Sequence, residues 1–260
     1  MTKPLIVTMK SKLTRISRYV SGFLVVQLLI GCAAYITPGS GINLESIRDK
    51  SIREQFEKEP AAPFPATIAV VRVQQSGYYS MGNEGHGIGV FSVVTTRDVE
   101  KDEHFKLLTS LPQVAGIAPL NRLVIPARLR SVEDLRFAAA GLHSDMLLLY
   151  TIDTSFKIKN RYIRPLTQIS LGFLPNKEAS VRTIVSSILY DVRTGFIYGL
   201  TEASGTTSVM ANTWSKKRLI EKSRLLNEEK TFDGFVTEFT KTWSGVILEY
   251  HNKRTSDPSN

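Results

Sequence analysis

Only one cysteine, Cys32, stands in the 260 residues. No intrachain disulfide can form, and no cysteine-based metal cluster can be built. Other carriers of chemistry are missing too. There is no His-Glu-x-x-His helix, no Gly-x-Ser-x-Gly elbow, no Ser-x-x-Lys and no Walker A loop. The four histidines, His86, His104, His143 and His251, show no metal-ligand spacing and are expected at the surface or at helix ends. No metal, no cofactor and no catalytic residue is expected. Long apolar runs are also lacking. The most apolar stretch, Val20 to Tyr35, is shorter than the roughly 18 residues that span a bilayer, and Ser21, Gly22 and Gln27 interrupt it. With 42% hydrophobic and 22% charged residues the composition is that of a globular chain, which excludes wholesale disorder and a polytopic membrane protein.

Residues 1–18 carry Lys3, Lys10, Lys12, Arg15 and Arg18 and no acid. The apolar run Phe23 to Ile30 follows, then Gly31 and Cys32. A basic segment, a short apolar segment and a small-residue cleavage site make a secretory signal over residues 1–31. Met9, followed by Lys10-Ser11-Lys12, is a second candidate start. Removing the five basic residues of the signal from 33 leaves 28 against 24 acids, a net charge of +4 over residues 32–260. That is ordinary surface charge. A nucleic-acid partner is therefore not expected, since over half the basic excess belongs to the signal. The densest remaining basic run, Ser215-Lys216-Lys217-Arg218, reads as a solvated loop or a helix start.

Residues 32–65 read as a tether, with Thr37-Pro38-Gly39-Ser40-Gly41 at one end and Pro60-Ala61-Ala62-Pro63-Phe64-Pro65 at the other. Between them Leu44, Ile47, Ile52 and Phe56 make the apolar edge of one short helix. A globular domain over 66–252 follows, and 253–260 form a disordered tail. Thr67 to Val73 is a β-branched strand. Gly82 to Gly89 tempts as a phosphate cradle, but Val90 stands where the dinucleotide fingerprint needs its third glycine and a β-rich run follows. A flexible loop is expected there. Asp98 to Leu111 reads as a helix and Val114 to Leu120 as a strand. Ser131 caps a helix with Val132, Leu135, Ala139 and Leu142 on one face. Met146 to Ile152 is a buried strand with Asp145 and Asp153 at its ends. A carboxylate dyad needs about 5–10 Å between groups, and a strand of this length separates them by roughly twice that or more. Val181 to Tyr190, the turn Asp191-Val192-Arg193-Thr194-Gly195 and Phe196 to Gly199 form a hairpin. Thr231 caps a closing helix whose apolar stripe runs Phe232, Phe235, Val236, Phe239, Trp243, Val246, Ile247 and Tyr250. Its polar face carries acids as well as lysine, so docking on the sheet is expected rather than a membrane-surface role. The fold class is thus α/β, one mixed β-sheet packed by amphipathic helices.

Leu29-Ile30-Gly31-Cys32 resembles a bacterial lipobox. That resemblance implies cleavage between Gly31 and Cys32, a diacylglyceryl group on the Cys32 sulfur and an acylated amine. Ala33 at the next position then implies delivery to the outer membrane. With the Pro-rich tether, strand Ile68–Val73, the helix before Asp145, strand 146–152, the Asp191–Gly195 hairpin and the closing helix, the chain resembles bacterial envelope lipoproteins. The group includes the curli-secretion lipoprotein family, the N-terminal domain of the Tol-Pal translocation protein B and rhombotarget-type lipoproteins. The resemblance implies an α/β sandwich with helices on one face of the sheet and a non-enzymatic role in envelope assembly, facing the periplasm. It also implies a membrane contact through the acyl chains on Cys32, an envelope protein partner and a capacity for homo-oligomers. The alternative it carries is an oligomeric, pore-forming secretion subunit, for which Phe156 to Tyr190 is the candidate membrane-inserting segment.

Overall fold

The computed structural model describes residues 52–80, 82–160, 177–211 and 216–251. They belong to one compact unit, Thr37–Asn260. In chain order the elements are α1 (Ile52–Glu57), β1 (Ala66–Gln75), β2 (Ile88–Gly89), β3 (Phe91–Val94), α2 (Asp102–Thr109), β4 (Val114–Pro119), β5 (Arg128–Leu129), α3 (Val132–Gly141), β6 (Met146–Asn160), β7 (Lys177–Asp191), β8 (Ile197–Ala211) and α4 (Lys216–Val246), the last continued by a π-helical turn at Ile247–His251.

Six strands make one mixed sheet. Strand β1 lies between β6, which it pairs in parallel, and a composite edge in which β4 runs parallel to its first half and β3 antiparallel to its second. Beyond β6 the order continues antiparallel through β7 to β8. The sequence marks the central strands because both their faces are covered: β1 reads as a run of Val, Ile and Ala rather than an alternation, and Ile68, Ala69, Val71 and Val73 are all buried. Both faces carry helices, not one. On the first, Ile68, Val70, Leu148, Ile152, Val185 and Leu189 pack against α2 and α4. On the second, Ala69, Val71, Leu147, Leu149 and Ile188 pack against Val132, Leu135, Ala138 and Ala139 of α3. A β-α-β crossover can return over either face, and here β4 and β6 flank β1 on opposite sides.

The three strands β6, β7 and β8 are each 15 residues long, about twice what their apolar runs announce. Asp153 therefore lies inside β6 rather than at its end. Residues 177–190 of the candidate inserting segment form the central strand of this ribbon, hydrogen-bonded on both sides, with Val181 and Val185 fully buried. Their pairing places them within the sheet, with Val181 and Val185 packed inside it. Residues 161–176 lie outside the described residues.

The proline-rich end of the tether is seated on the domain. Ala62 is buried, and Phe64 lies with its ring 6.0 Å from that of Trp243. Between β7 and β8 Gly195 adopts φ 71°, a conformation that glycine reaches without steric cost. The loop from residue 76 to 90 is tied down by backbone bonds, from the Gly85 N–H to the Tyr78 carbonyl (2.9 Å) and from the His86 N–H to the Val93 carbonyl (2.7 Å). It is a folded excursion between β1 and β3.

Helix α4 crosses β8 at two glycines. A methyl group added at Gly199 would sit 2.7 Å from Thr242 Cγ2, and one at Gly205 would overlap Thr231 Oγ1. Thr231 cannot yield cheaply, because its hydroxyl donates to the Asn227 carbonyl at 2.6 Å. Gly205→Ala is expected to cost about 1–3 kcal/mol, the usual penalty for overpacking a filled interior. Urea unfolding monitored by circular dichroism measures it, and an unchanged midpoint would contradict this packing.

Candidate functional site

Gly31 and Cys32, the lipidation and cleavage residues expected from the sequence, lie outside the described residues, as does the start of the tether. The histidines fall in four separate places. His86 sits in the loop before β2, His143 follows α3 with φ 54°, and His251 stacks near Phe64 at 5.6 Å. His104 stands at a helix end, the start of α2, and is buried there. Its Nδ1 accepts the Lys101 N–H at 3.0 Å, so its proton is on Nε2, which donates to Asp233 at 2.6 Å. With the Lys101–Glu229 ion pair beside it, this fastens α2 to α4. Among the described residues no group of three or more His, Cys, Asp or Glu side chains is placed to hold a metal ion.

The largest concentration of charge is buried under α4. Arg72, on β1, is 3% exposed. It donates to Asp98 at 2.8 Å and approaches Glu100 at 3.5 Å, with its guanidinium 5.8 Å from the Tyr78 ring centre. Glu100 in turn accepts the Tyr150 hydroxyl at 2.7 Å. Further along the same sheet face, Arg224 grips Glu221 with two nitrogens (2.6 and 3.1 Å) and Glu228 with a third (2.6 Å). Glu228 also accepts the Thr154 hydroxyl at 2.7 Å, and Asn227 donates to Thr183 Oγ1 at 2.9 Å and to the Gly205 carbonyl at 3.2 Å.

Burial opposes charge on both arginines, yet the carboxylates outweigh it. Glu100 and Asp98 hold Arg72 above its ordinary value, and Glu221 and Glu228 do the same for Arg224. Burial pushes Glu228 up against the pull of Arg224, and pushes Tyr150 well up, with Glu100 adding to it. Every acid here is matched to a base or a hydroxyl, while Arg72 Nε is buried without a hydrogen-bond partner. The arrangement locks a helix to a sheet.

This layer explains where the closing helix begins. Its stripe was read from Thr231, but α4 starts at Lys216, within the basic run read as a loop or helix start. Thr231 is an interior residue of the helix. After Ile220, the inward positions Ser223, Arg224, Asn227, Glu228 and Thr231 keep the helical spacing of the apolar stripe with polar side chains. Their charge hid the first half of the helix. The available signal was the Glu221, Arg224, Glu228 spacing of three and four, which places an arginine between two acids on one face.

A second cluster lies at the opposite end of β7. Asp191 accepts five hydrogen bonds: Oδ2 from the Ala61 and Ala62 N–H groups (2.7 and 2.8 Å) and the Tyr198 hydroxyl (2.9 Å), Oδ1 from the Arg193 and Thr194 N–H groups (2.8 and 3.0 Å). Burial pushes this carboxyl up, but the backbone donors of Thr194 and Ala61 and the Tyr198 hydroxyl outweigh it and hold it below its ordinary value. Asp145 beside it accepts the Thr67 N–H at 3.0 Å and Arg193 at 3.1 Å. Its carboxylate joins the start of β1 to the β7–β8 turn. Near this corner a cavity of about 330 Å³ opens between α1, the start of α3 and the start of β8. Its lining includes Gln55, Lys58, Glu133, Arg136, Tyr190 and Phe196.

Arg224→Met strands Glu228 as a buried charge and is expected to destabilise by about 3–5 kcal/mol. The pair Arg224→Met with Glu228→Leu removes both charges and should recover most of that loss in a denaturant double-mutant cycle. For Asp191 the folded value is depressed, so its contribution is fully present above the ordinary carboxylate range and is lost as pH falls through the lower, folded value. The gap in unfolding midpoint between the parent and Asp191→Asn should therefore be widest near neutrality and close on acidification. A gap that does not change with pH would remove the charged carboxylate from the account.

No protein-family profile matches the chain, and no curated protein matches it. Solved structures do show likeness. The hypothetical protein CT253 from Chlamydia trachomatis is 12% identical, over 67% of this chain and 95% of that one, with TM-score 0.31. The lipoprotein GNA1162 from Neisseria meningitidis is 11% identical, over 61% and 94%, with TM-score 0.28. PelC from Paraburkholderia phytofirmans, crystallised as a dodecamer, is 13% identical, over 66% and 94%, with TM-score 0.24. At such scores and identities these likenesses carry nothing for the role of this chain.

Proposed function

We propose that the chain is a lipid-anchored component of a bacterial envelope that works by assembly and not by turnover. The observation that carries this reading is the order of the first 32 residues: a basic segment, an apolar segment, then Leu29-Ile30-Gly31 against the sole cysteine. The Cys32 thiolate is the nucleophile that a lipid donor needs. One acyl chain binds a bilayer only marginally, so stable residence takes two or three chains on the new N-terminal residue. Ala33 at the following position favours the outer membrane, with the domain on the periplasmic side and a second envelope protein as its partner. A role without catalysis is supported by the use to which the buried charges are put: they join helix, sheet and tether.

Cys32→Ser tests the anchor. In cells fed radiolabelled palmitate, the variant is expected to lose label and to accumulate as a precursor still carrying residues 1–31. Palmitate incorporation equal to the parent's, or a parent recovered in the cytosol, would overturn the reading.

A further inference from the structure

Strand β8 ends the sheet. Fifteen residues long, it pairs with β7 on one side, and among the described residues no strand and no loop backbone pairs with its other side. Such an edge is a template for another chain, and proteins blunt it with short strands, lysines, prolines or bulges. From Ile197 to Ala211 there is no lysine, no arginine and no proline, and Glu202 is the one charge. The one register irregularity lies at the start of the strand, opposite Leu189 and Tyr190. From Leu200 onward the edge runs regular and unguarded.

Its chemistry fixes the class of partner. A row of main-chain donors and acceptors is met by an extended strand. The other edge of the same sheet does not supply one: β3 has four residues and β4 has six, ending at Pro119, which has no N–H to give. Val93 of β3 is already bridged to His86. Head-to-tail pairing of β8 with that edge would leave most of β8 uncovered. Its match in length is β8 itself.

We propose that β8 is a homodimer interface, two copies pairing antiparallel across a two-fold axis near Gly205 to make one continuous sheet. This specifies the assembly part of the proposed function by naming a second copy as partner. An axis at Gly205 sets Glu202 against Ser208 of the other copy, so the one charge never faces itself. Ser204 and Thr206, both exposed, face each other across the join, and hydroxyl pairs of this kind favour strand pairing. Helix α4 packs on one face of β8 through Asn227 and the close approach at Gly199 and Gly205. A two-fold contact of this sort closes at two copies.

The test uses the chain from residue 32 with Cys32→Ser, which retains the compact unit and carries no lipid. Light scattering should give twice the mass of one chain. Ser204→Cys and Thr206→Cys together, the only thiols then present, lie opposite each other across the axis and should yield a disulfide-linked dimer on mild oxidation. Ser204→Lys with Thr206→Lys brings like charges together at the axis and should halve the mass while leaving the circular dichroism spectrum unchanged. A monomeric parent overturns the proposal, as does an assembly whose mass survives the lysine pair. So does absence of cross-linking in the variant carrying both cysteines, which decides the matter if the lysine variant fails to fold. The palmitate result stands apart from all of these outcomes.

Discussion

One carboxylate holds together the end of the molecule where the chain enters. Asp191 closes the β7–β8 turn with one oxygen and receives the incoming residues Ala61 and Ala62 with the other. The same strand end pairs with the start of β6, where Asp145 takes the Thr67 N–H and so fixes the entry of β1. Hydrogen bonds to a charged acceptor are each worth about 1.5–3 kcal/mol, and a buried acceptor left without them costs more. The entering segment and the β7–β8 turn thus share one acceptor, while Asp145 ties β1 to the same corner, and the relative placement of the three depends on these two carboxylates. The neighbouring core then fills in around Phe64, Tyr198 and Trp243.

Helix α4 is built in two parts that obey one geometry and two kinds of chemistry. From Phe232 to Val246 it docks by apolar burial, with Trp243 fully enclosed and its indole N–H donating to the Pro112 carbonyl at 2.7 Å. From Ile220 to Thr231 it docks by matched charge and hydroxyl contacts. Apolar burial tolerates small displacements. A layer of charges in a low-dielectric interior does not, because each misplaced partner leaves a group unpaired. The ionic half therefore sets the register of the helix on the β6–β8 ribbon, and the apolar half supplies the larger share of stabilisation.

What could be read in the sequence follows from this division. The strands β1 and β6 announce themselves through Ile68, Val70, Leu147 and Leu149, because both their faces are buried. The turn Asp191 to Gly195 is legible in its residues, since Asp and Gly there meet definite backbone needs. The outer halves of β6, β7 and β8 were not legible. Ser155, Lys157, Arg182, Glu202 and Ser204 face solvent on an uncovered side, so their polarity reads as loop. Arg72 was hidden within an apolar run and Arg224 within a charged one. Helix α3 was legible from its Ser131 cap and apolar spacing, but its place on the second face was not, because the pattern of elements does not say which face a given helix covers. Of the candidate site, the lipidation signal is entirely a matter of sequence, while the ionic layer and the Asp191 corner exist only once distant segments meet.

The docking of Ala61 and Ala62 has a mechanical side. A pull on residues 59–62 would be met by the Asp191 carboxylate and by the Thr194 hydroxyl, which donates to the Glu59 carbonyl at 2.7 Å. Behind that clasp lie Phe64 against Trp243 and then β1, clamped between β6 and the β3–β4 edge. Load would pass from a few hydrogen bonds at the rim to the middle of the sheet, and the clasp would yield before the strands. The domain is thereby built with a sacrificial first link, so a tug on its leash pays out slack before it disturbs the fold.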